Sequence, residues 1–186
     1  MIDMKKQVLF IQGAGEGAYE EDRKLAESLQ AALGEEYEVV YPRMPNEENP
    51  EDDPWMTQIS KELAPLAGNV ILVGHSAGGG TLLKYLLKES LSKPVAGIFL
   101  IAIPYWGPED EEGEEYTLRE GFAAKLPKDV PIYLYHSRDD EWVPFAHLAT
   151  YAEKIPQATA REFDGRGHQF NSDLSEVAAD IKSLKI

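Results

Sequence analysis

The stretch Ile71-Leu72-Val73-Gly74-His75-Ser76-Ala77-Gly78-Gly79-Gly80 carries the most legible chemistry in the chain. A short apolar run of the kind that forms a buried strand turns abruptly through glycines around one serine. Glycines two residues either side of Ser76 suit a sharp strand-to-helix turn, which lifts the hydroxyl above a sheet edge. Ser76 is therefore a candidate acyl-accepting nucleophile. The N–H of the following residue, Ala77, is a candidate donor to an oxyanion. A serine hydroxyl is weakly nucleophilic at its own pKa and needs a base within hydrogen-bond reach. The chain offers four histidines. His75 adjoins the nucleophile, but neighbours on a tight turn point apart, which places it in the pocket lining or packed below the pocket. His136 ends an apolar run and His147 lies in a helical pattern, where packing roles are expected. His168 lies in Asp164-Gly165-Arg166-Gly167-His168, a turn that can swing an imidazole over a sheet edge, and is the candidate base.

Elements that could position these groups alternate along the chain. Residues 8–11, 38–41, 70–73, 97–103, 132–135 and 161–163 read as strands, the central ones almost wholly apolar. Between them run helical stripes: Leu25, Leu29, Ala32 and Leu33 up to Gly34; Trp55, Ile59, Leu63 and Leu66 behind Asp53 and Pro54; Leu82, Leu83, Leu86 and Leu87 after the serine. Phe145, Leu148, Tyr151, Ala152 and Ile155 follow Pro144, and Leu174, Val177, Ala178, Ile181 and Leu184 close the chain. This order predicts an α/β class and a mostly parallel sheet of about six strands flanked by helices. With the serine elbow, it is the pattern of a minimal three-layer α/β-hydrolase, read as a single domain over residues 1–186. In such a sheet, reactive groups gather at the carboxyl ends of strands. The loop Gln12-Gly13-Ala14-Gly15-Glu16-Gly17, directly after the first strand, could supply a second oxyanion N–H. Its glycine spacing and the Tyr41-Pro42 that ends the second strand fit a dinucleotide loop poorly. The orienting acid falls between serine and histidine in chain order in this fold, where Asp139, Asp140 and Glu141 stand together. Position alone leaves all three open, and some of them could instead cap the helix that opens near Pro144.

Gly74-His75-Ser76-Ala77-Gly78, Asp140-x-x-Val143-Pro144 and Gly167-His168-Gln169-Phe170-Asn171, in so short a chain, resemble the small single-domain serine hydrolases grouped with a retinoblastoma-binding protein and its bacterial relatives. The resemblance spans essentially the whole length. It implies that Asp140, three residues before the Val-Pro pair, is the acid of a Ser76, Asp140, His168 triad. It further implies a metal-free and cofactor-free enzyme that cleaves small carboxylic esters or amides through an acyl-enzyme. Gln12 departs from a common pattern, standing where many α/β-hydrolases place histidine before the oxyanion glycine, which bears on Ala14 as second donor. Acyl transfer to another acceptor would use the same triad, whereas a purely binding role would not need all three residues.

Composition narrows the classes. The 186 residues include 18 basic and 33 acidic side chains, a net charge of −15, and no cysteine. Nucleic acid and anionic membrane are disfavoured as partners, and disulfides and thiolate chemistry are excluded. With no paired histidines at metal spacing, zinc hydrolysis is disfavoured as well. No long apolar segment suggests export or membrane insertion, so a cytoplasmic protein acting on a small-molecule ester or amide is expected, with no protein partner indicated. Tyr105, Trp106 and Trp142, on loops after central strands, are placed with His75 on the substrate wall, the alternative being that the aromatics close the core. Residues 116–125 are the best candidate for a short lid. Acidic side chains crowd the loops after the first, second and fourth strands, at residues 16–22, 47–53 and 109–115, with Arg43 alone offsetting them within those loops. They form either a solubilising surface or a rim that favours cationic substrates.

Overall fold

A computed structural model describes residues 4–89, 91, 93–106 and 118–186. Six strands form one sheet: β1 (Lys6–Ile11), β2 (Tyr37–Val40), β3 (Val70–His75), β4 (Val95–Ile101), β5 (Ile132–Ser137) and β6 (Ala158–Phe163). Their order is β2-β1-β3-β4-β5-β6 and every pairing is parallel. Among the described residues, five α-helices cover it: α1 (Ala18–Leu33), α2 (Asp52–Leu63), α3 (Ala77–Lys88), α4 (Ala146–Lys154) and α5 (Ser175–Lys182).

Alternation along the strands makes the three layers. Val8 and Phe10 of β1 join Leu25, Leu29, Val177 and Ile181 in one core, under α1 and α5. Leu9 and Ile11 face the other way and join Trp55, Ile59, Leu82, Leu86 and Leu148, under α2, α3 and α4. β3 is buried along its full length, as expected of a central parallel strand covered on both faces.

Several boundaries differ from the sequence reading. β4 begins at Val95 and stops at Ile101 because Ala102 turns to φ 50°, sending its N–H to the Tyr135 carbonyl at 2.8 Å. β6 begins three residues earlier than the apolar pattern indicates, since this edge strand is largely exposed and carries little hydrophobic signal. The second helix opens at Asp52, with Glu51 as its cap, so Asp53 and Pro54 both lie within the first turn. The acidic residues Glu20, Glu21 and Asp22 likewise lie at the start of α1, where carboxylates suit the positive end of a helix.

Chain direction across the sheet reverses between β1 and β3, the place where an open parallel sheet splays its connections and opens a crevice. The loop after β1 and the turn after β3 border that crevice.

Candidate active site

The elbow is built by close approach. Ser76 sits at φ 51°, ψ −129° between β3 and α3, a conformation that costs a non-glycine residue about 1–3 kcal/mol and persists only when its surroundings enforce it. Here they do: the Ser76 N–H donates to the Ile101 carbonyl at 2.8 Å, while its own carbonyl accepts from Gly79 and Gly80. A Cβ on Gly78 would collide with the Gln12 carbonyl oxygen, and one on Gly74 with the backbone of Gly79. The two glycines are needed for space as well as for the turn.

His168 reaches the site on a loop with left-handed glycines at 165 and 167. Its Nδ1 lies 2.8 Å from Asp140 Oδ2. The three adjacent carboxylates divide the work of holding it. Asp140 takes the ring, Asp139 accepts the Arg166 and Gly167 N–H groups at 3.1 Å, and Glu141 accepts the N–H of His168 itself at 3.1 Å. The Asp140 side chain is fully buried. Burial alone would raise its pKa, but the hydrogen bonds from His136, His168 and the Val143 and Trp142 N–H groups outweigh it and hold the carboxyl well below the usual range. The Asp140 carboxylate is an acceptor, so Nδ1 is the ring nitrogen of His168 placed to donate to it.

Two side chains that the sequence reading set aside belong to this environment. His136, expected only to pack, points Nε2 at Asp140 Oδ2 (3.1 Å) and at the Val143 carbonyl (3.0 Å). Asp22 was read as one of a row of loop acids, yet it is 1% exposed and accepts from the Gly13 N–H at 2.7 Å and from His75 Nδ1 at 2.8 Å. Its signal is periodicity: Ala18, Asp22, Leu25, Ala26, Leu29 and Leu33 form the buried stripe of α1, with a carboxylate where an aliphatic residue belongs.

The loop after β1 presses against the elbow serine, a Cβ on Gly13 lying only 3.3 Å from that of Ser76. Gln12 braces this loop, its amide donating to the Gly13 carbonyl and to Glu47 and accepting from the Met44 N–H. The N–H of Gly13 is taken by Asp22 and that of Gly15 by the Glu47 carbonyl. Among the described residues, the N–H groups of Ala14 and Ala77 have no partner.

Ser76 and His168 line one cleft of about 350 Å³, together with Ala14, Glu16, Glu21, Asp22, His75 and Trp142. A neighbouring cavity of about 280 Å³, largely apolar, is bordered by Ala77, Pro104, Trp106, Leu118 and Tyr151, with the buried Lys84 at one side. Trp142 and Trp106 thus border separate spaces. Tyr105 packs edge-on against Tyr151 at 5.3 Å and joins the core beneath. His75 touches the cleft but is 1% exposed, with both ring nitrogens facing protein acceptors, so its expected place as a substrate contact gives way to an internal one. Of the proposed lid, residues 116 and 117 lie outside the described residues, while Leu118 and Phe122 are buried in the core.

A family model described as "Serine hydrolase" matches residues 21–175. The chain belongs to the serine hydrolase family. Its fold is that of α/β-hydrolases of known structure. Est1E from Butyrivibrio proteoclasticus superposes with a TM-score of 0.70 at 16% identity, over 97% of this chain and 86% of that one. The meta-cleavage product hydrolase CumD of Pseudomonas fluorescens IP01 gives 0.71 at 18%, over 95% and 88%. SOBER1 of Arabidopsis thaliana gives 0.65 at 18%, over 96% and 98%. No curated protein matches the sequence. In this hydrolase no helix among the described residues is long and apolar enough to cross a membrane.

Proposed function

We propose that this serine hydrolase cleaves small carboxylic esters, or amides, through an acyl-enzyme on Ser76, with His168 as base and Asp140 as its orienting acid. The observation that carries the reading is the 2.8 Å bond from His168 Nδ1 to a buried, ionised Asp140, on an imidazole that shares its cleft with the elbow serine. Asp140 fixes the tautomer. His168 Nε2 takes the Ser76 proton as Oγ attacks the acyl carbon, and the imidazolium that forms is stabilised by the carboxylate. Charge arising on the carbonyl oxygen is met by the unpartnered N–H groups of Ala77 and Ala14. Collapse breaks the bond to the leaving group, which departs with the proton from His168. Water, activated by the same nitrogen, then releases the acid and regenerates Ser76.

The reading assigns the acyl group to the apolar cavity beside Ala77, between Trp106, Leu118 and Tyr151. The leaving group lies toward Trp142, Glu16 and Glu21 in the cleft. At about 280 Å³ the cavity suits a short or single-ring acyl chain. A panel of aryl esters with acyl groups from acetyl to palmitoyl, and benzoyl, tests this. Maximal kcat/KM is expected for short-chain or benzoyl esters, and a maximum at palmitoyl would contradict the assignment.

A further inference from the structure

We propose that His75 and Asp22 form a second, buried charged pair that positions the base: His75 is an imidazolium that ties the loop carrying His168 to the oxyanion loop, directly beneath the nucleophile. The proposal rests on the assignment of His168 as base.

The geometry points to charge. His75 Nδ1 lies 2.8 Å from Asp22 Oδ2 and His75 Nε2 lies 3.0 Å from the His168 carbonyl oxygen. Both partners are acceptors. A neutral imidazole has a single N–H and would turn a lone pair toward one of them, whereas the imidazolium donates to both. The Asp22 carboxylate requires a cation as well. It is 1% exposed, its Oδ1 has no hydrogen-bond partner, and among the described residues His75 is its one ion-pair partner. A buried carboxylate without a counter-charge is costly. Directions of titration agree: burial disfavours charge on His75, but Asp22 overrides it and raises the pKa above the ordinary histidine value, while Asp22 is held below the ordinary carboxylate value despite its burial.

Three pieces of the site meet at this pair. Asp22, from α1, holds the Gly13 N–H, while the N–H of the next residue, Ala14, is left unpartnered. His75, the last residue of β3, holds the backbone of His168, and the two rings lie 4.7 Å apart. The charged or titratable groups facing His75 are Asp22 from α1, His168 on the loop after β6 and, behind that ring, Asp140 on the loop after β5. Loss of the His75 proton leaves Nδ1–H on Asp22 and turns the bare Nε2 toward the His168 carbonyl. The histidine loop is then released while the Asp140 bond is untouched. His75 and Asp22 are thus positioning residues, and displacement of a catalytic group by about 1 Å can cost about 10²-fold in rate.

The test combines protonation and rate on the intact enzyme. In protein labelled with ¹⁵N-histidine and assigned through the backbone, both His75 ring nitrogens should carry protons at pH 7.5 and one should lose its proton only at alkaline pH. In parallel, the native enzyme should show an alkaline fall in kcat as His75 loses its proton, and His75→Gln should lower kcat by about 10²-fold, leave KM within about 3-fold, and abolish that fall. One bare His75 nitrogen at pH 7.5 would overturn the proposal, and so would a His75→Gln enzyme with native kcat and an unchanged alkaline limb. The ¹⁵N measurement decides even where the variant fails to fold. It does not depend on turnover, so an error in assigning His168 as base would show separately, as an active His168→Ala enzyme.

Discussion

At the scale of single residues, three neighbouring carboxylates illustrate how position selects role. Asp139, Asp140 and Glu141 are chemically near-equivalent in sequence, yet only Asp140 is fully buried and bonded to the His168 ring; the other two hold the backbone of the histidine loop. Asp140→Asn is therefore expected to fold and to lose up to about 10⁴-fold in kcat, because an amide no longer enforces the productive tautomer. Asp139→Asn keeps an acceptor for the Arg166 and Gly167 N–H groups and should lose far less. Steady-state kinetics on the two purified variants checks both, and a reversed order would move the acid to Asp139. As candidate site residues, Ser76 is legible from spacing and His168 from its place after the last strand. Asp140 needed the family resemblance, since nothing in three adjacent acids distinguishes a buried one. His75 and His136 were read as lining or packing because a histidine in an apolar run does not announce the carboxylate it will meet.

At the scale of elements, the strand-to-helix turn works because the segments that follow β1 and β4 come within contact of it. Gly78 lies against the Gln12 carbonyl and Gly79 against the Ile103 side chain, so β1, β4 and α3 lock the strained Ser76 between them. Gly78→Ala should lower stability by about 1–3 kcal/mol or more, through displacement of the loop after β1. Denaturant unfolding measures the loss, and unchanged stability would mean that the elbow is not so tightly seated. The central strands and all five helices were legible from apolar period. The ends of β4 and β6 were not, for opposite reasons: Ala102 leaves the strand while the apolar run continues, and β6 is an edge strand whose middle residues are all exposed.

At the scale of the whole molecule, charge is lopsided, but part of the acidic excess is internal. Asp22 pairs with His75, Asp52 with the buried Lys84 from α3, and Glu47 accepts the Gln12 amide and the Tyr19 N–H. Beyond Arg43, the base within those loops, Arg23 of α1 and Lys84 of α3 also pair with these acids. Residues 109–115 lie outside the described residues. Glu16 and Glu21 remain on the wall of the cleft that Ser76 and His168 share, where one sign of charge attracts cations and repels anions. Among isosteric esters bearing a positive, neutral or negative leaving group, kcat/KM at low salt should fall in that order, and the spread should shrink as salt approaches 1 M, where screening reaches about 3 Å. Identical values at low salt would reduce these acids to a solubilising surface. The sheet, the loops and the charge all converge on one hydroxyl, and that is where the account is most directly tested. Labelling with a fluorophosphonate probe, followed by peptide mass spectrometry, should place the adduct on Ser76 in the native enzyme and give none in Ser76→Ala; an adduct on another residue, or labelling that survives the substitution, would contradict it.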